Sequence, residues 1–157
     1  MLNYAESFNK GIHAAKIAQG NREEIKAVLE EFREQILSAT HGKIDIRIRE
    51  FYKNTMLDDL ARLTMERKPR ETYEAIAASN PLAIQHESKE LARWTLDKAG
   101  YPCMISLGDM RYICEDAQAL RNNLSLLLEN PLTGEKLYEL MNLPIAEDDT
   151  DAQIEDS

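Results

Sequence analysis

The sequence predicts an α+β fold: a small antiparallel sheet packed against several amphipathic helices, followed by a disordered acidic C-terminal tail. Three observations carry that expectation. Residues 101–128, YPCMISLGDMRYICEDAQALRNNLSLLL, read as a hairpin running straight into a helix. Residues 43–52, KIDIRIREFY, alternate with period two, and the segments around both stretches repeat apolar residues at helical spacing.

Taken in chain order, Tyr4–Ala18 carries Tyr4, Phe8, Ile12 and Ala15 on one helical face. Gly20-Asn21 interrupts the pattern, with Asn21 placed to cap a second helix. Arg22–Ala39 then shows the most continuous stripe in the chain, Ile25, Val28, Leu29, Phe32 and Ile36, with charged residues around the rest of the circumference. Residues 1–41 therefore read as a helical pair or arm, and residues 4–39 offer a route to a homodimer. The stripe is under three heptads, so it does not demand a coiled coil.

After Gly42, Lys43–Tyr52 places Ile44, Ile46 and Ile48 on one side and Asp45, Arg47 and Arg49 on the other, the signature of a half-buried strand. Met56–Arg67 reads as a helix through Leu57, Leu60, Ala61 and Leu63, and Lys68-Pro69 ends it. Arg70–Ala78 reads as a short helix stopped by Ser79-Asn80-Pro81. Leu82–Glu87 is ambiguous between a strand and an irregular entry. Ser88–Ala99 reads as a helix with Leu91, Ala92, Thr95 and Ala99 inward, Trp94 at the stripe's edge and Gly100 at its C-terminal stop.

The hairpin, near 103–114, rests on register. Gly108-Asp109 suits a two-residue type II′ turn, because glycine takes the first, positive-φ position without steric cost. That loop sets Cys103 opposite Cys114 and gathers Cys103, Ile105, Leu107, Met110, Tyr112 and Cys114 on one side. Met104, Ser106, Arg111 and Ile113 form a mixed other side. Asp116 is placed to cap a helix with the stripe Leu120, Leu124, Leu127 and Leu128, which Asn130-Pro131 closes. Thr133–Met141 gives a last short helix. From Pro144 the composition, PIAEDDTDAQIEDS, is too polar to fold alone. Residues 1–143 thus form one expected domain and 144–157 a tail.

The net charge of −9 is unevenly spread. Residues 43–70 carry eight Lys/Arg against five Asp/Glu, +3, whereas residues 144–157 carry six acids and no base, −6. No apolar run approaches bilayer length and the N-terminus lacks a signal-peptide pattern, so a cytoplasmic protein without membrane contact is expected. Two cysteines do not make a disulfide framework, and in a reducing compartment they are expected as buried thiols. The three histidines, His13, His41 and His86, are scattered and share no ligand spacing with the cysteines; no metal or cofactor is expected.

No nucleophile–histidine, phosphate-loop or dinucleotide pattern appears. The first expectation is therefore a non-catalytic regulator, inhibitor or immunity-type factor that engages a basic protein through an acidic surface. Trp94, Leu126 and the tail acids Asp148, Asp149 and Asp151 are its candidate contacts. The alternative is a nucleic-acid-associated module using the basic strand face of Lys43, Arg47, Arg49 and Lys53, since exposed arginines on a sheet face bind phosphate backbone. A third reading sees in Glu66-Arg67-Lys68, with Asp58 and Asp59, the carboxylates and lysine of a metal-dependent nuclease.

Overall fold

In the computed structural model the described residues are 1–53, 60, 63 and 71–146. Their elements, in chain order, are α1 (Tyr4–Ala39), β1 (Asp45–Tyr52), β2 (Thr72–Ser79), β3 (Ser88–Asp97), β4 (Gly100–Leu107), β5 (Met110–Cys114), α2 (Ala117–Glu129) and α3 (Pro131–Met141). The five strands make one antiparallel sheet in the order β1-β2-β3-β4-β5, a simple meander. The architecture is α+β. Expected helix 56–67 falls mostly outside the described residues; Leu60 and Leu63 within it are helical and exposed.

The hairpin takes the expected register: Leu107 opposes Met110, Ile105 opposes Tyr112 and Cys103 opposes Cys114. Gly108 supplies the positive φ of the turn, 59°. Asp116 accepts from the Ala119 amide at 2.8 Å and starts α2 as a side-chain cap. Leu120, Leu124 and Leu127 bury against the sheet, joined by Ile25 and Val28 of α1 and Leu140 of α3. Ile44, Ile46, Ile76, Trp94 and Ile105 supply the sheet side of the same core. Cys103 and Cys114 are both buried and both free thiols.

Three expectations need correction. Where a helix is expected over 70–78, the described residues form a strand, β2, over Thr72–Ser79. Ala75, Ala77 and Ala78 suggest helix by propensity, but an interior strand flanked by larger side chains on β1 and β3 accommodates small ones, and all three are fully buried. Residues 88–99 also hold a strand, β3, up to Asp97. A bulge opposite Ile76/Ala77 puts Leu91 and Ala92 both into the core and breaks the period-two pattern that would have marked it. The first two helices are one, because a single glycine inside a helix costs only about 1 kcal/mol and does not end it.

Asn21 is not a cap. Its amide donates to the Ala99 carbonyl at 3.0 Å, and the Arg22 guanidinium donates to the Lys98 carbonyl at 2.8 Å. These bonds pin α1 to the β3–β4 turn, where Gly100 takes φ 90° and lies so close that an added Cβ would stand 2.7 Å from Asn21 Cβ. The ambiguous segment 82–87 contributes one bridge residue, Ala83, paired with Ile145.

Candidate functional site

The described helices α1, α2 and α3 pack on one face of the sheet, and strand pairing decides what the described strands present on the other. Arg49 opposes Ala75, Ala75 opposes Arg93, Arg93 opposes Ser106, and Ser106 opposes Arg111. Directly opposed residues share a face, so one row across all five strands reads Arg49–Ala75–Arg93–Ser106–Arg111. Arginines stand on alternate strands with small residues between them, about 10 Å apart, over a span of about 19 Å. All three are exposed, and none has an ion-pair partner among the described residues.

Two residues along the strands, about 7 Å away on the same face, lies a row of different character. Phe51 opposes Tyr73, their rings stacked at 5.9 Å, while Thr95, Met104 and Ile113 oppose one another in turn. The Arg93 guanidinium sits 4.3 Å from the Tyr73 ring centroid and links the two rows. The Tyr73 hydroxyl donates to Glu90 at 2.9 Å. Burial and that acceptor carboxylate both raise its pKa, so it stays a neutral donor. Over β3–β5 this face holds an open hollow of about 590 Å³ lined by Arg93, Thr95, Met104, Ser106, Arg111 and Lys136, with Glu90 among its other lining residues. Lys136, on α3, donates to the Glu90 carbonyl at 2.7 Å and adds a fourth cation at the margin.

The expected basic face of β1 is present but not uniformly available. Arg47 donates to Asp45 Oδ2 at 2.8 Å, and Lys53 pairs with Glu71 at 3.4 Å. Lys43 lies ahead of the strand and is half-buried. Arg49 and Lys43 carry no ion-pair partner among the described residues, and of the four only Arg49 joins the cross-sheet row. Arg93 and Arg111 were not among the sequence candidates. Arg93 was hidden by the helical reading of 88–99, whereas Arg111 was already visible on the mixed side of the hairpin.

Trp94, offered as a partner contact, is 5 % exposed and sits in the core, so it presents no face to a partner in this arrangement. Leu126 is exposed on α2. Asp148, Asp149 and Asp151 lie outside the described residues, as do Asp58, Asp59, Glu66 and Lys68. No group of three or more His, Cys, Asp or Glu that could hold a metal ion occurs among the described residues. No described helix is long and apolar enough to cross a membrane. Comparison with protein-family models, curated proteins and solved structures gives no match, so the site is read from its own geometry.

Proposed function

We propose that this chain is a non-catalytic nucleic-acid-binding module that lays a single strand across the open face of its sheet. The observation that carries the reading is the pair of adjacent rows, arginines in one and aromatic or apolar side chains in the other. A single-stranded nucleic acid matches both rows at once: phosphates over Arg49, Arg93 and Arg111, and base faces toward Phe51, Tyr73, Met104 and Ile113. A broad sheet face suits splayed bases better than a duplex groove. Arginine keeps its charge at every working pH and forks onto phosphate oxygens, which favours binding over proton-transfer chemistry. The overall charge does not oppose this reading, because residues 144–157 account for −6 of the −9 and leave −3 on the rest.

The competing proposal, a regulator docking a basic protein through acids, keeps the acidic sequence of the tail as its support.

The test is equilibrium binding of labelled single-stranded DNA and RNA oligonucleotides across a salt series. Each phosphate contact to a single strand contributes a slope of about 0.7 in log K against log salt. Replacing Arg49, Arg93 and Arg111 together by alanine should lower the slope by about 2 and weaken binding without unfolding the protein. A triple variant that binds like the parent would refute the proposal, as would a parent whose binding is absent or independent of salt.

A further inference from the structure

Helix α1 is 36 residues long, but only its second half packs on the body. Its buried residues are Ile25 and Val28, and its first contacts with the sheet are those of Asn21 and Arg22 at the β3–β4 turn. Tyr4–Gly20, about 25 Å of helix, projects past that turn with nearly every residue exposed. Tyr4 is 78 % and Phe8 67 % exposed. An isolated helix of this length is marginal in water, so a projecting apolar arm is a surface that needs a cover.

The arm's stripe is not a continuation of the one that packs on the sheet. At 3.6 residues per turn, Tyr4, Phe8, Ile12 and Ala15 centre roughly a quarter turn from the direction of Ile25, Leu29, Phe32 and Ile36. The arm's stripe therefore points to one side of its own body's packing direction. Its aromatic side chains, Tyr4 and Phe8, lie in its first turns, and its small ones, Gly11, Ala14, Ala15 and Ala18, lie toward the body beside Ile12 and Ile17.

From these features we infer that the arm is a homodimerisation element, pairing antiparallel with the arm of a second copy about a two-fold axis at Gly11. That axis pairs positions symmetric about residue 11 and sets Phe8 against Ala14, with Ala15 beside it, and Tyr4 against Ala18, large against small, while Ile12 meets Lys10 at the edge. A parallel pair would set Phe8 on Phe8 and leave the alanines facing a gap. Gly11 lets the two backbones approach, since nothing lies within 4 Å of where its Cβ would be. Two copies bring four exposed aromatic rings of about 150–250 Å² each, on the order of half the roughly 1,200 Å² at which specific interfaces begin. Met1, Ile12 and the alanines of both arms supply the remainder. Residues 1–20 carry two lysines and one glutamate, so like-charge repulsion between arms is small.

The test is the mass of the full chain in solution by sedimentation or light scattering over a concentration series. The expected species is a dimer of twice 18.0 kDa, 36 kDa, that Phe8→Glu with Ile12→Glu converts to monomer while circular dichroism and binding at the open sheet face stay unchanged. Oxidative cross-linking then reads orientation, with Cys103 and Cys114 replaced by serine as background. Gly11→Cys should link to itself and Tyr4→Cys should not, whereas Tyr4→Cys combined with Ala18→Cys should. A monomer at all concentrations, a dimer indifferent to the two glutamates, or self-linking by Tyr4→Cys would overturn the inference. Where the serine pair fails to fold, the two buried native thiols are retained and the same pattern is read above their background.

Discussion

The two faces of the sheet are made by the same five strands and obey different rules. On the helix side, Ile76, Trp94 and Ile105 are buried against α1 and α2, and each side chain is fixed by its neighbours. On the other side, Arg49, Arg93 and Arg111 stand beside buried Ala75 and half-buried Ser106 and have no ion-pair partner among the described residues, the nearby Glu90 carboxylate accepting from Tyr73 instead. A side chain on the first face is explained by the energy of packing. A row of guanidinium groups on the second gains little from packing beyond the contact of Arg93 with the Tyr73 ring and sets like charges near one another, so a ligand is the simpler explanation for it.

The comparison breaks most visibly under truncation. Ile105→Ala removes a fully buried side chain from the middle of the helix-side core and should cost about 2–5 kcal/mol. Arg93→Ala, its neighbour across the β3–β4 pair by one residue, should cost about 0.5–1 kcal/mol, the worth of its contact with Tyr73. Urea unfolding of the two variants measures the contrast. Equal losses would mean that the open face is covered and structural, and the binding proposal would lose its ground.

A smaller effect is expected where α1 meets the sheet. Gly100→Ala places a side chain at φ 90° and drives its Cβ against Asn21, backbone and side chain together. The expected cost is about 1–3 kcal/mol. Asn21→Ala, which removes only the bond to the Ala99 carbonyl, should cost about 0.5–1.5 kcal/mol. If Gly100→Ala proved neutral, the pin between α1 and the β3–β4 turn would not be tight, and the division of α1 into a packed half and a free arm would lose its boundary.

Much of this architecture was legible where side-chain periodicity and turn chemistry agree. Gly108-Asp109 fixed the hairpin register, Asp116 started α2, and the isoleucines of β1 identified its buried side. What could not be read was β2 and β3. In β2 the alanines that make room for arginines on neighbouring strands carry the local preference of a helix, and only the sheet around them reverses it. In β3 the bulge at Leu91 shifts the alternation by one residue, so that Arg93 lands on the open face while the sequence pattern points elsewhere. The candidate site suffered most, because a cross-strand row has no footprint along the chain. Arg49, Arg93 and Arg111 are separated by 44 and 18 positions and become neighbours only through the pairing of five strands.

The two faces meet at Asp45, on the edge strand. Its side chain belongs by alternation to the open face, yet it is buried, accepting from Arg33 of α1 at 2.6 Å and from Arg47 at 2.8 Å. Burial pushes its carboxyl pKa up, and the hydrogen bonds and charges of the two arginines more than reverse this, leaving it below its ordinary value. A carboxylate with a depressed folded-state pKa adds stability that is fully present above its unfolded value, about 4, and is lost as pH falls through the folded one. Asp45→Asn should therefore be less stable than the parent near neutral pH, with the gap closing in acid; a gap constant from neutral pH to about 3 would show that the charge contributes nothing. The same substitution releases Arg47 toward the open face and removes its nearest acid. Nucleic-acid binding should then tighten by a few-fold and its salt slope steepen by about 0.7, so this variant would lose stability and gain affinity at once, an outcome that a purely structural role for the arginines does not produce.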